Sequence, residues 1–287
     1  MRVVAPTLRA LSALACIGAA EAPAPASTPL TQDGSLTGYR LVWNDEFNTD
    51  GPPDPTRWSY DTHRNREGWY NNERQYYSAD RPENARVENG HLIIEARRET
   101  LTPEQVADAG GQAYTSARLI TRGKAEWTYG FYEVKAKIPC GRGSWPAIWM
   151  LPVAEAEWPA GGEIDIMEHV GHERGEVHGT VHTTRYNHTQ GTERGGRKRV
   201  RDACDAFHRY QVLWTPEGIN FGIDDVGYYR FSNDGRGDRA TWPFDSPFYM
   251  ILNIAVGGDW GGAEGIDDRA FPQRMEVDYV RVFSPRP

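Results

Sequence analysis

The segment Gly161-Gly162-Glu163-Ile164-Asp165-Ile166-Met167-Glu168-His169 sets three carboxylates close together. Glu163 and Asp165 are two apart, so on a strand they share a face while Ile164 and Ile166 turn to the other. Alternating β-branched isoleucines also favour a strand over a helix. Glu168 lies an odd number of residues from Glu163, which would send it to the apolar face. A lone carboxylate buried there costs several kcal/mol. One extra residue in a β-bulge around Ile166–Met167 returns it to the side of the other two. Glu163 and Glu168 then stand about four strand steps apart, roughly 13 Å between Cα atoms. Side chains leaning inward reduce this toward the ~5–5.5 Å carboxyl separation of a retaining glycosidase. Asp165 between them can hold the proton or hydrogen bond that keeps the two glutamates in different protonation states. A plain acidic surface strand is the bland alternative, and three like charges on one face argue against it.

The elements that must position these acids read as short strands between turns. Phe131–Ile138 alternates, with Tyr132, Val134, Ala136 and Ile138 on one face and Glu133, Lys135 and Lys137 on the other, which predicts a strand with one wet face. Glu88-Asn89-Gly90 followed by Leu92, Ile93 and Ile94 predicts a hairpin within Val87–Arg97, because Asn-Gly tolerates the positive φ of a tight turn. Further strand-like runs are Ser116–Thr121, Glu163–Glu168, Val177–Thr183, Arg209–Trp214, Ile219–Asp224, Tyr249–Val256 and Met275–Phe283. Glu99–Ala113 reads as a polar loop, and no long helical period or repeat appears. The fold class is all-β, a single antiparallel sandwich.

Composition narrows the partners. Basic residues number 32 against 40 acidic ones, a net charge of −8, which excludes the basic footprint of a nucleic-acid binder. No apolar run approaches the ~20 residues of a membrane span. The chain begins with Arg2, Arg9 and the apolar stretch Leu11 to Ala20, then an Ala/Pro-rich run with small-residue cleavage options near Ala22 or Ala26. We read residues 1–26 as an export signal and tail, 27–37 as a linker and 38–287 as one catalytic domain, secreted or periplasmic. Cys16 could be acylated in a lipoprotein, but Ala13 stands three before it where such sites favour Leu. Cys140 and Cys204 remain after export, and sequence alone leaves their pairing open.

The acidic segment resembles the Glu-x-Asp-x-x-Glu signature of glycoside hydrolase family 16, in the bulged form of its laminarinase-like bacterial members. The resemblance runs through Trp43-Asn44-Asp45-Glu46-Phe47, Asn71-Asn72-Glu73-Arg74-Gln75-Tyr76-Tyr77, Ser116-Ala117-Arg118 and Gly143-Ser144-Trp145-Pro146-Ala147-Ile148-Trp149-Met150-Leu151. It continues through Gly179-Thr180-Val181-His182-Thr183, Asn253-Ile254-Ala255-Val256-Gly257-Gly258 and Val277-Asp278-Tyr279-Val280-Arg281-Val282. It implies a jelly roll whose concave sheet lines a glycan cleft, and retaining hydrolysis of internal β-1,3 or β-1,3-1,4 glucan bonds without a catalytic cofactor. By this resemblance Glu163 is the nucleophile, Glu168 the acid/base and Asp165 the assisting carboxylate. Trp145, Trp149, Arg118 and His182 fall near the cleaved sugar, and Asn72 on its donor side. Trp260 adds an indole for stacking. A structural calcium is implied, held by backbone carbonyls at Glu46 and Gly90 and by Asp278, with an ion pair such as one to Arg281 as the plain reading of Asp278.

Other patterns carry less. His178 and His182 share a strand face and His169-x-x-His172 could suggest a metal, yet no third ligand has recognisable spacing. Arg194, Arg197, Lys198, Arg199 and Arg201 read as a solvated basic loop, or as a contact to an anionic glycan. That loop keeps a galactan hydrolase of the same fold in view. A non-catalytic glucan-binding module is the reading from another class, and the presence of all three acids opposes it. The expected partner is a β-glucan polysaccharide, and the protein is expected to act as a monomer.

Overall fold

The structure is a computed structural model and describes residues 38–286. The expected export signal, Cys16 and the expected linker lie outside these residues. The chain forms β1 (Tyr39–Asp45), β2 (Ser59–Tyr60), β3 (Gln75–Tyr77), β4 (Ala85–Glu88), β5 (His91–Ala96) and β6 (Tyr114–Ser116). It continues with β7 (Arg118–Ile120), β8 (Gly130–Lys137), β9 (Ser144–Pro152), β10 (Glu163–Glu168), β11 (Glu176–His182) and β12 (Arg194–Arg199). The last strands are β13 (His208–Thr215), β14 (Gly218–Ile223), β15 (Val226–Ser232), β16 (Phe248–Val256) and β17 (Gln273–Pro285). The only helices among the described residues are three short 3-10 turns, and 99–113 is a loop.

Two antiparallel sheets face one another. One runs β15-β14-β13-β8-β17-β5-β4, with β1 also on β17; the other runs β12-β11-β10-β9-β16-β7-β2. Their facing sides bury Ile148, Met150, Ile164, Ile166, Met167, Val177 and Val181 from the second sheet against Val134, Ala136, Tyr210, Val212, Phe221, Val280 and Val282 from the first. At ~1.5–3 kcal/mol for each fully buried large apolar side chain, this interface fixes which face of every strand looks inward. The polar face of the second sheet is thereby turned outward as a cleft floor.

The expected hairpin forms between β4 and β5, with Asn89 and Gly90 both at positive φ. The wet face expected for β8 holds at the half-exposed Lys135 and Lys137 and is corrected at Glu133. Glu133 is buried, accepting from Gln211 Nε2 at 2.5 Å and Tyr279 Oη at 2.8 Å. Alternation located its face correctly but could not show that β13 and β17 would supply its partners. Residues 194–199 are a second correction: the expected basic loop is β12, the edge strand of the cleft sheet. Cys140 and Cys204 are joined as a disulfide, with Cα atoms 5.8 Å apart.

The segment that leads into β9 packs directly against the chain leaving β10. The Gly171 N–H donates to Ser144 O at 2.9 Å, and a Cβ at Gly171 would stand 1.9 Å from Gly141 O. Only glycine allows these two backbones to touch. Gly171→Ala is expected to destabilise the fold by about 1–3 kcal/mol through overpacking, read as a fall in Tm. An unchanged Tm would mean the two segments are free to separate.

Candidate active site

The strand β10 carries the three acids, and its bulge is visible in both neighbours. Asp165 pairs with Trp149 and Thr180, while Glu168 pairs with Ala147 and His178. Three residue steps on β10 therefore oppose two on each partner, with Ile166 and Met167 both in the core. Glu163, Asp165 and Glu168 all line one cleft of about 730 Å³. The floor is drier than an open strand face. The Glu163 side chain keeps 14% of its surface exposed and Asp165 only 3%.

Each acid has different company. Glu163 Oε2 accepts from Trp158 Nε1 at 2.9 Å. His182 Nε2 lies 3.8 Å from Glu163 Oε1 and 3.4 Å from Asp165 Oδ2. Glu168 Oε1 accepts from Trp145 Nε1 at 3.1 Å. Burial, then the charge of Asp165, pushes the Glu163 carboxyl up to about 8, against the pull of His182, Trp158 and Arg118. Burial also raises Asp165. Glu168 is held well above its ordinary range by burial first and then by Asp165. Three acids this close cannot all ionise together. Burial raises all three, the charge of Asp165 raises both glutamates further, and Trp158, His182 and Arg118 draw negative charge toward Glu163.

The cleft walls follow from the strands beside β10. Arg118 on β7 is buried, with Nε 2.8 Å from Asp61 Oδ2, and its guanidinium lies between the rings of Trp149 at 4.7 Å and Trp69 at 5.0 Å. Trp149 Nε1 donates to Asn253 Oδ1 at 2.7 Å, and Asn253 Nδ2 to Tyr77 Oη at 2.9 Å. Trp145 meets Trp260 edge-on with ring centroids 5.4 Å apart, and Trp260 meets His178 likewise at 4.9 Å. Asn72 donates to Asp259 Oδ1 at 2.7 Å, while its neighbours Tyr70, Asn71 and Glu73 line the cleft.

Sequence reasoning passed over several of these groups. Trp158 is 40% exposed and sits over the acids in the β9–β10 connection, its ring 5.6 Å from that of His182 and 4.9 Å from that of His188. The signal available was a lone tryptophan in the Pro/Gly-rich turn just before Glu163. Glu73 and Asn253 gave none beyond their place in the quoted motifs. Burial raises the Glu73 carboxyl as well.

The residues offered for calcium belong to the other sheet or its connections. Glu46 accepts from Arg281 Nε and Nη2, both at 2.8 Å, and Asp278 Oδ2 lies 2.6 Å from Lys135 Nζ. Calcium wants six to eight oxygens with uncommitted charge. Both carboxylates are paired with cations of the chain, so of the expected ligands, the backbone carbonyls of Glu46 and Gly90 and the Asp278 carboxylate, the last could take part only by leaving Lys135. Asp278 is ion-paired as its plain reading supposed, but with Lys135. His169 is likewise no ligand: it is buried, its Nε2 accepting from the Gly175 N–H at 3.1 Å.

The raised acids carry a stability consequence. A carboxyl raised in the fold supports folding fully below its unfolded pKa, and that support is lost as pH rises through the folded value. From about pH 4.5 to above 8 the wild type must therefore weaken relative to a variant with one acid made neutral. Glu168→Gln is expected to melt within error of wild type near pH 4 and higher than wild type at pH 8, with ~2–4 °C for each kcal/mol relieved. A variant less stable than wild type at pH 8 would show that the ionised site is not strained.

Comparison with known proteins agrees with this geometry. Residues 72–281 match the profile described as Glycosyl hydrolases family 16. The chain is 55% identical over 253 residues to a beta-glucanase of Rhodothermus marinus, covering 85% of each. It superposes on the crystal structure of SCLam, a non-specific endo-beta-1,3(4)-glucanase, with TM-score 0.86 and 54% identity, over 92% of this chain and 96% of that one. The X-ray structure of the laminarinase from Rhodothermus marinus gives TM-score 0.81 at 54% identity, over 87% and 98%. On a match of that extent and relatives of that identity, the chain belongs to glycosyl hydrolase family 16.

Proposed function

We propose that this protein is an endo-acting β-glucanase that cuts internal β-1,3 bonds, or β-1,3-1,4 bonds, with retention of anomeric configuration. The observation that carries the reading is the bulged β10, which sets two glutamates, each accepting from one indole N–H, on one dry floor around Asp165. Relatives whose printed names are beta-glucanase and laminarinase support the same substrate class. Glu163, ionised, attacks the anomeric carbon and forms a glycosyl-enzyme. Glu168 gives its proton to the leaving oxygen, then as a carboxylate takes one from the water that releases the sugar. Asp165 and His182 share the charge that moves between the two steps. Trp145 and Trp149 offer flat apolar surface to sugar rings, and Arg118 holds Trp149 in place.

The chemistry needs no cofactor. A structural calcium at Glu46, Gly90 and Asp278 enters the reading only through displacement of Lys135 from Asp278. We place the protein, as a monomer, in an oxidising compartment outside the cytoplasm; the Cys140–Cys204 disulfide supports that address.

Reducing ends should appear from laminarin with wild type and fall by roughly 10³-fold or more in Glu163→Gln and Glu168→Gln. Proton NMR of the first product should show the β-anomer before mutarotation. Wild-type activity in either variant, or an α-anomer appearing first, rules the assignment out. Agarose and carrageenan should stay intact, and cleavage of either in place of laminarin would establish the galactan reading. Trp158→Phe keeps the ring but removes the N–H that lowers the Glu163 pKa. The acidic limb of kcat/KM should accordingly move to higher pH, and a profile identical to wild type would show that Trp158 only stacks.

A further inference from the structure

The mechanism leaves the basic strand β12 unused. Its register with β11 sets Arg197 opposite His178, which itself stands opposite Glu168. Two strand spacings of ~4.8 Å put Arg197 about 10 Å from Glu168 across the sheet. Arg118 on β7 stands on the opposite flank of β10, so β11 and β12 form the other arm of the cleft sheet.

The face on which Arg197 projects follows from its glycine neighbours. A Cβ at Gly196 would lie 2.6 Å from the Tyr229 Cβ on the opposing sheet, and one at Gly179 would lie 2.7 Å from the Phe221 ring. Positions 196 and 179 therefore look into the sandwich, and by alternation Arg197 and His178 stand on the outward, acid-bearing face of the sheet. Gly195 shares that face and adds no side chain, which leaves the floor beside Arg197 open.

Arg197 is exposed and, among the described residues, has neither an ion pair nor a side-chain hydrogen bond. Two other arginines of the strand are engaged: Arg199 Nη1 lies 3.5 Å from Glu176 Oε2, and Arg194 covers the Tyr186 ring at 4.6 Å. Nearby carboxylates are committed too, with Glu173 Oε2 2.9 Å from His178 Nε2. Glu193 shares the cleft face but lies four residues away, about 13 Å along the strand. An unpaired guanidinium on a chain of net charge −8 gains little from a neutral glucan. A carboxylate or sulfate ester it can grip with two parallel hydrogen bonds.

Resting on the glucanase reading above, we propose that Arg197 is a subsite, on the β11–β12 arm of the cleft sheet, for an anionic substituent on the glycan, so that the cleft takes acidic as well as neutral β-glucans. The test measures binding in the hydrolytically silent Glu163→Gln background, with and without Arg197→Ala. The probes are neutral, carboxymethylated and sulfated β-1,3-glucans of matched length, each at low and high salt. Arg197→Ala should weaken at least one anionic probe roughly tenfold, leave the neutral glucan within about twofold, and lose its effect as salt rises. The more sensitive probe names the substituent. Arg236→Ala, an exposed loop substitution with the same change of charge, should leave all three unchanged. Equal loss for neutral and anionic probes, no loss for either anionic probe, or the same loss in Arg236→Ala would overturn the proposal. Neutral binding retained beside unaltered anionic binding leaves the glucanase reading standing alone, whereas binding of none of the probes removes both.

Discussion

The site depends on one inserted residue. Without the bulge at Ile166, Glu168 would project into the core among Ile148, Met150 and Val177, where a carboxyl has no partner and costs several kcal/mol. With it, two consecutive residues, Ile166 and Met167, are buried while Glu168 joins Glu163 and Asp165. The apolar demand of the core and the chemical demand of the cleft are met by the same local distortion. Packing holds it there: Ile164, Ile166 and Met167 anchor β10 from below, so the acids cannot slip register without exposing that apolar set.

Much of this was legible because parity is a strict rule. The odd spacing of Glu163 and Glu168, read against the isoleucines, demanded a bulge near the place where it occurs. The hairpin at Asn89-Gly90 was legible for a comparable reason, since positive φ restricts the residue types. Long-range partners were not legible. Glu133 was expected in water because alternation reports a face and not what covers it, and Gln211 and Tyr279 arrive from distant strands. Residues 194–199 looked like a loop because their charges obscured a period of two, and because an edge strand needs little apolar residue to form once β11 offers its hydrogen bonds. The calcium expectation came from resemblance alone, and the pairing of Asp278 with Lys135 across β17 and β8 could not be read from either segment.

The division of labour between the two glutamates is a matter of positive potential rather than of burial. Burial raises both, and alone it would leave two neutral acids and no nucleophile. Each glutamate receives one indole N–H, from Trp158 or Trp145, so the indoles do not separate them. His182 lies against Glu163 and Asp165 and is felt at Glu168 as well, so what sets Glu163 apart is Arg118. Arg118 cannot move closer to Glu163, because Asp61 and the faces of Trp69 and Trp149 hold it. Its charge therefore acts as a fixed background and leaves the carboxylate free to attack. A direct Arg–Glu163 pair would stabilise the anion so strongly that its nucleophilicity would fall. Keeping the cation one ring-width away, with a neutral indole as the contact donor, leaves an ionised yet reactive Glu163 beside a protonated Glu168.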